Sequence, residues 1–379
     1  MVVKVKKQER NSNFELMRII SMIFIILWHI IIHGNLINNL SSNPEIQIFF
    51  DVLSFIIMIH VNSFILVTGY FQYDKEFKLS KLISISNLQI FYMYFIFIIL
   101  CLLGINFEKT DLINRIFITF FNQYWFIATY LLLYVISPFL NILIKHINKK
   151  TYFHMLLVLL FIFSIIPYLT GNQVFQNNGY TLYNFVFLYF IGAYLGKYNI
   201  KNSYYFKNMT TNLYRLLLIF TFFICVILNY GITTISIYFC NSSENLRIFF
   251  QNFIAMKYAY SNPIVIIQSI VFFLFFETLN FKSIKINKIA GLTLGIYAIH
   301  DNYFVRQHLY RVLKIDYLSH IWHYKFIIYV FLCVILIFIV GAIIEYIRQK
   351  VFKFIYNRKI SGKIRNKFYN FIGSIKINN

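Results

Sequence analysis

The sequence predicts an all-α, polytopic integral membrane protein, a bundle of about ten transmembrane helices with both chain termini in the cytoplasm. Composition is the first of three observations behind this prediction, since 59% of the 379 residues are hydrophobic and 13% are charged. A soluble domain carries about 25% charged residues. A water-soluble core cannot bury this much apolar surface, so most of the chain must have lipid as its solvent.

The second observation is a series of apolar segments near the length of about 20 residues that a helix needs to cross the hydrocarbon layer. The predicted spans are Phe14–Ile32, Ile46–Tyr70, Leu82–Leu103, Tyr124–Ile144, Tyr152–Leu169, Leu182–Leu195, Leu213–Gly231, Pro263–Phe281, Ile289–Val305 and Phe326–Ile347. They predict one membrane domain at 14–347, preceded by a basic cytoplasmic N-terminus at 1–13 and followed by a basic, amphipathic cytoplasmic tail at 348–379.

The third observation is the placement of positive charge, which amounts to a formal net charge of +22. In a soluble protein this excess would suggest a nucleic-acid partner. Here the lysines and arginines concentrate in the two termini and in alternate loops, as the positive-inside rule requires. This pattern puts both termini on the cytoplasmic side. It also makes membrane lipids, and no nucleic acid, the expected partner of the basic and aromatic tail.

The cysteines give no indication of a disulfide framework or a metal site. Cys101, Cys225, Cys240 and Cys333 are widely separated and lie within or beside apolar segments. Because the sequence contains neither a CxxC motif nor a cysteine–histidine cluster, no metal is predicted at the functional site.

Ionisable residues inside a span are costly and are therefore candidates for function. The first span contains Arg18 and His29, at a spacing that puts them roughly 20° apart on one helix face and about 16 Å apart along the axis. Glu15 precedes Arg18 by one helical turn and is predicted to pair with it. The planar guanidinium suits phosphate, and an imidazole accepts a proton near neutral pH.

A second histidine, His300, lies in the ninth predicted span at a depth similar to that of His29. Asp301 beside it is suited either to orient an imidazole or to bind a polar ligand. His60 and Glu277 also fall within predicted spans. Glu277 is interpreted as interfacial, and His60 receives no role.

Several short motifs appear in a consistent order along the chain. They are Phe14-Glu-Leu-Met-Arg18 followed by His29, Ser63-Phe-Ile-Leu-Val-Thr-Gly69-Tyr70, Gln123-Tyr-Trp125-Phe126, Phe187-Leu-Tyr-Phe-Ile-Gly192-Ala193 and Thr293-Leu-Gly-Ile-Tyr-Ala-Ile-His300. Together they resemble the acyltransferase 3 family of bacterial membrane O-acyltransferases, particularly members that modify surface polysaccharides. Lys78 and Lys81 occupy the spacing at which that family often has an Arg-x-x-Arg pair.

The resemblance implies transfer of an acyl group, with acetyl expected, from cytoplasmic acyl-CoA to a hydroxyl of a surface or lipid-linked glycan in the bacterial plasma membrane. Acyl-CoA is a co-substrate, and no bound cofactor is implied. The resemblance implies that His29 and His300 are catalytic. The residues expected to bind substrate are Glu15, Arg18, Lys78, Lys81, Trp125 and Asp301. The sequence leaves open whether His29 acts as a general base or carries the acyl group between faces.

Two other functional classes are weighed against the acyltransferase. A polymerase or exporter of lipid-linked oligosaccharides predicts a large outer catalytic loop or several outer arginines. The longest predicted outer segment, 232–262, contains only Arg247 and Lys257 as basic residues. A sensor or anchor without enzymatic activity would not need Arg18 and His29 on one helix face.

Overall fold

The computed structural model describes residues 11–36, 44–104, 124–171, 177–201, 203–204, 206–242, 244–319 and 323–359, and these contain helices but no strand. The first eight helices are α1 Ser12–His33, α2 Pro44–Ile57, α3 His60–Gln72, α4 Leu79–Leu102, α5 Trp125–His146, α6 Lys149–Leu160, α7 Ile166–Thr170 and α8 Leu182–Lys197. The remaining eight are α9 Thr211–Ser242, α10 Glu244–Ala255, α11 Pro263–Glu277, α12 Ile284–Ala290, α13 Thr293–His300, α14 Tyr303–Val312, α15 Ile315–Ser319 and α16 His323–Lys359.

Within the described residues, seven helical segments are long and apolar enough to cross a membrane, and α11 is a shorter apolar helix. The seven are Ser12–His33, Pro44–Gln72, Leu79–Leu102, Trp125–His146, Lys149–Thr170, Thr211–Ser242 and Tyr324–Phe354. Large apolar side chains on these helices face outward, such as Leu102 at 81% and Phe139 at 72% exposure. The predicted helical membrane bundle is confirmed, while the count of ten and the side of each terminus stay predictions.

The structure differs from the sequence prediction over the ninth predicted span, Ile289–Val305. This stretch is divided among three short helices, α12, α13 and α14. The break after α13 has a local cause, because the Asn302 side chain accepts a hydrogen bond from the backbone N–H of Phe304 at 3.0 Å and so caps a new helix. His300 is consequently the last residue of α13 rather than an interior residue of a long helix.

The last helix also extends beyond the predicted domain boundary at 347. α16 continues without interruption to Lys359, so the first part of the predicted tail belongs to the same helix as the last predicted span. Residues 360–379, which carry the rest of the predicted amphipathic tail, lie outside the described residues.

Two glycines from the sequence motifs let α3 and α8 pack at close range. A Cβ on Gly69 would lie 2.3 Å from the carbonyl oxygen of Tyr189, and a Cβ on Gly192 would lie 2.2 Å from that of Leu66. Small residues at such a crossing are typical of membrane helix pairs, whose association depends on close van der Waals packing. These motifs therefore serve the packing of the bundle.

α1 runs through the interior of the bundle and contacts α3, α11, α12, α13 and α16. Near its start, Asn13 donates a hydrogen bond to the carbonyl oxygen of Phe276 at 2.9 Å. The Phe14 ring is 2% exposed and packs against Tyr70 and Phe273, each with ring centroids 5.0 Å away. This central position carries the polar side chains of α1 into the protein interior, where they find partners.

Candidate active site

A cavity of about 340 Å³ opens at the Arg18 end of α1. We call it the basic pocket. Its polar lining consists of Asn11, Glu15, Arg18, Thr68, Gln72, Lys75 and Lys81. Three cations against one carboxylate give this pocket a net positive charge, which favours an anionic ligand.

A second cavity, also about 340 Å³, shares Arg18 and Lys81 with the basic pocket and continues deeper into the bundle. We call it the apolar passage because its deeper lining includes Met22, Ile25 and Phe126. Arg18 to Ile25 spans about 10 Å of helix rise, and His29 lies about 6 Å further along the same helix. The passage therefore runs from the basic pocket toward His29.

Arg18 is held in place by Glu15, whose Oε1 accepts a hydrogen bond from Arg18 Nη1 at 3.0 Å. This is the pairing that the helical spacing predicts. The Arg18 side chain is 31% exposed while that of Glu15 is 8% exposed. The carboxylate thus fixes one edge of the guanidinium, and its other N–H groups have access to the pocket.

The two predicted donor-binding lysines have different surroundings. Lys81 lines both cavities, and its Nζ lies 4.4 Å from the centroid of the Tyr134 ring, a cation–π contact. Lys78 is absent from the lining of both, and its backbone N–H donates to the Tyr134 hydroxyl at 2.9 Å. Lys75, from the same basic loop, lines the basic pocket instead. Sequence reasoning missed Lys75 because it followed the Lys78–Lys81 spacing.

At the other end of α1, the two predicted catalytic histidines are in direct contact. His29 Nδ1 lies 3.1 Å from His300 Nε2 and 3.6 Å from Asp301 Oδ1. Arg306, which sequence reasoning also missed, donates from Nη1 to Asp301 Oδ1 at 3.1 Å. Side-chain exposure is 12% for His29 and 2% for Asp301. We call His29, His33, His300, Asp301 and Arg306 the histidine cluster.

The hydrogen-bond partners assign the protons of both imidazoles. His300 Nδ1 lies 2.7 Å from the carbonyl oxygen of Ile296. Because a carbonyl only accepts, His300 Nδ1 carries the proton and its Nε2 has a lone pair when the ring is neutral. His29 Nδ1 then donates to that lone pair, and the lone pair of neutral His29 is on Nε2. A backbone carbonyl thereby sets the tautomer of His29 through His300.

Contacts with α16 and with Tyr124 hold α13, which carries His300. A Cβ on Gly295 would lie 2.4 Å from the Glu345 carboxylate. Glu345 is 1% exposed and accepts two hydrogen bonds from Arg348, each 2.7 Å long. On another side, the hydroxyl of Tyr124, the residue that precedes α5, donates to the carbonyl oxygen of Ala298 at 2.8 Å. A short helix braced on two sides keeps the His300 ring in a fixed position.

Trp125 lies in an aromatic cluster and is absent from the lining of both cavities. Its ring centroid is 4.5 Å from that of Tyr180 and 5.9 Å from that of Tyr260. Trp125 and Tyr180 both remain partly exposed, whereas Tyr260 is buried.

The other two ionisable residues within predicted spans have their own partners. His60 Nδ1 lies 2.6 Å from the carbonyl oxygen of Ile57, and its Nε2 lies 2.9 Å from the Tyr260 hydroxyl. Glu277 accepts a hydrogen bond from the Tyr70 hydroxyl at 3.2 Å. Both side chains therefore have hydrogen-bond partners within the bundle.

Comparison with known proteins gives one informative match. The family model described as an acyltransferase domain, of the acyltransferase 3 type, matches residues 11–346, which is nearly the whole chain. No curated protein and no solved structure matches the chain significantly.

Proposed function

This chain belongs to the acyltransferase 3 family, and from that premise we propose that it transfers an acyl group from cytoplasmic acyl-CoA to a hydroxyl of a surface or lipid-linked glycan. Acetyl is the group that we propose. The observation that carries the proposal is the order along α1 of the basic pocket, the apolar passage that continues from it as far as Ile25, and His29 one turn further on. A phosphorylated thioester donor has the same order of parts: an anionic head, an extended arm and a reactive carbonyl.

In this proposal the basic pocket holds the phosphates of acyl-CoA. Arg18 supplies a bidentate fork, and Lys75 and Lys81 supply point charges. Lys78, outside the lining, contributes only through its charge at longer range. The arm of the donor then follows the apolar passage, whose length along α1 suits an extended chain and brings the thioester toward His29. Glu15 contributes by orienting Arg18 rather than by touching the anion.

His29 is the proposed general base. Its Nε2 accepts the proton of the acceptor hydroxyl as the hydroxyl oxygen attacks the thioester carbonyl. The carbon–sulfur bond breaks, and the CoA thiolate leaves and takes the proton back from the imidazolium. Asp301, 3.6 Å from His29 Nδ1, stabilises the positive charge on the ring in between. His300 serves as a positioning residue that fixes the tautomer of His29.

The alternative in which His29 itself carries the acyl group uses the same Nε2 lone pair. It differs kinetically, because an acyl-enzyme would form from acyl-CoA without any acceptor present. Rapid mixing with labelled acyl-CoA alone distinguishes the two. Label bound covalently to the protein indicates the carrier, and label that stays on CoA indicates the base.

The acceptor is proposed to approach near the aromatic cluster formed by Trp125 and Tyr180. Both rings are partly exposed, and aromatic side chains combine a large apolar face with polar groups at their edge. This combination suits a sugar ring, which has apolar faces and hydroxyl edges. With the Arg18 end on the cytoplasmic side, the acceptor would be modified at the opposite side of the bacterial plasma membrane.

The function is tested by mass analysis of surface glycans from cells that express or lack the protein. We expect acyl groups on the glycan only when the protein is present, and their mass identifies the acyl group. His154, exposed on α6 and remote in sequence from the site, gives a control variant, His154→Ala, with full acylation. Identical glycans with and without the protein would contradict the proposed acceptor class.

A further inference from the structure

We propose that His29, His33 and Asp301 form a binding site for a zinc ion, and that zinc held there prevents His29 from accepting a proton. His29 and His33 are one turn apart on α1, with ring centroids separated by 5.4 Å. Two histidines at this spacing share one helix face, the arrangement that helical zinc sites use. Asp301 reaches the same point from the turn after α13.

The three side chains converge closely. One ligand atom from each residue lies within 4.8 Å of the corresponding atoms of the other two. Ligands about 2.1 Å from a tetrahedral zinc lie roughly 3.4 Å from one another. His29 Nδ1 and Asp301 Oδ1, at 3.6 Å, already have this separation. The imidazole of His33 is therefore the ligand that has to move closer when zinc binds. No other trio of such residues occurs in the part of the chain that the structure describes.

The degree of exposure of the three residues suits capture of an ion from solution. His33 is exposed and is the last residue of α1, whereas Asp301 is buried. An ion can therefore meet His33 first and complete its coordination on the buried carboxylate. Three protein ligands leave the fourth tetrahedral position of zinc to water. No local zinc motif marks this site in the sequence, because the carboxylate comes from a distant segment of the chain.

Arg306 opposes this site in the absence of metal. Its Nη1 donates to Asp301 Oδ1 at 3.1 Å, and its side chain is 30% exposed. A guanidinium and a divalent cation compete for the same carboxylate, because two positive charges at that distance repel each other. The partly exposed arginine can turn outward when zinc binds. Removing its charge should therefore strengthen zinc binding.

Zinc binding and proton acceptance by His29 exclude each other. A neutral imidazole has one lone pair and one N–H. Zinc at His29 Nδ1 replaces the hydrogen bond from that nitrogen to His300, so the ring proton moves to Nε2, which can then no longer accept one. The expected effect of zinc on turnover rests on the proposed function, whereas zinc binding itself does not. The inhibition is also reversible, since a chelator removes the ion and frees the lone pair.

The experiment titrates purified, tag-free protein with Zn²⁺ in a calorimeter and compares three variants. We expect one tight site in the unmodified protein. His33→Ala should weaken it at least about tenfold, since losing even an outer-shell partner of a metal ligand costs about 10–100-fold in affinity. Arg306→Gln should bind Zn²⁺ several-fold more tightly. His154→Ala, which removes an exposed histidine elsewhere, should leave the affinity unchanged.

Absence of a tight site, or equal affinity in the unmodified protein and His33→Ala, would overturn the proposal. An Arg306→Gln affinity at or below that of the unmodified protein would overturn the shared use of Asp301. In acyl-transfer assays, Zn²⁺ should inhibit the unmodified protein at lower concentration than His33→Ala, and a chelator should restore the rate. If Zn²⁺ binds as expected but no acyl transfer occurs with or without chelator, the proposed function fails and the zinc site stands.

Discussion

The two ends of α1 hold polar side chains in opposite environments. At one end, Arg18 is 31% exposed and lines an open basic pocket with Lys75 and Lys81. At the other end, His29 is 12% exposed and contacts His300 and Asp301. An open, charged surface attracts and orients a ligand, whereas a closed set of hydrogen bonds fixes the geometry of a reacting group. This difference supports our proposal that the donor binds at the open end and that proton transfer takes place at the closed end.

The largest effect is expected from removing the proposed base at the closed end. His29→Ala should lower kcat for acyl transfer by about 10²–10⁴, the usual contribution of a general base. Transfer of labelled acyl groups to glycan acceptors in proteoliposomes measures this loss. Because Arg18 and its pocket are untouched, binding of acyl-CoA should persist and serves as the check on folding. Near-normal transfer by a correctly inserted His29→Ala protein would contradict the assignment.

A smaller loss is expected when the partner of His29 is changed. His300→Ala should lower kcat by about 10–100-fold, because His29 loses the acceptor that fixes its tautomer and orientation. His300→Gln keeps a carbonyl acceptor near the position of Nε2 and should recover part of the rate. Steady-state kinetics of the two variants test this. Equal rates for alanine and glutamine would show that the hydrogen bond does not matter.

At the open end, the expected change is in KM rather than kcat. Arg18→Ala removes charge-assisted hydrogen bonds worth about 1.5–3 kcal/mol, so KM for acyl-CoA should rise by about 10–100-fold. Titration of the donor at saturating acceptor measures it. Arg18→Lys keeps the charge but loses the planar guanidinium, so its KM should lie between that of the unmodified protein and that of Arg18→Ala. An unchanged KM in Arg18→Ala would leave Arg18 with a purely structural role.

The smallest effect separates two neighbouring lysines. Lys81→Ala should raise KM for acyl-CoA a few-fold, because Lys81 lines both cavities. Lys78→Ala also removes one positive charge, but Lys78 immediately precedes α4 and lies outside the lining of both cavities, so the KM of this variant should change less. The two variants are matched, because each removes one positive charge and only the position of the lysine differs. A larger effect from Lys78→Ala would place the donor elsewhere on the loop.

Sequence reasoning succeeded where one helix sets the geometry. Arg18, Glu15 and His29 all belong to α1, and helical periodicity alone placed Glu15 against Arg18, where the structure has an ion pair of 3.0 Å. The late motif gave His300 at a matching depth. Its contact with His29 at 3.1 Å depends on the packing of α13, which no local pattern specifies.

The predictions were weaker where the chain leaves regular helix. The ninth predicted span is broken by the Asn302 cap. Hydropathy averaged over the length of a span does not detect a single capping residue. In the loop between α3 and α4, the motif spacing predicted Lys78 as a donor-binding residue. In the structure, Lys75 lines the basic pocket instead. His33 stands one turn after His29 in the sequence, yet its partner Asp301 comes from a distant segment and Arg306 from the helix after it.

The most direct test of the division between the two ends is a single-turnover measurement at saturating acyl-CoA. With donor already bound, the rate reports chemistry rather than donor affinity. We expect that Arg18→Ala transfers its acyl group within a few-fold of the unmodified rate, while His29→Ala is slower by at least about 10². A single-turnover rate in Arg18→Ala as low as that of His29→Ala would contradict the separation of donor binding from proton transfer.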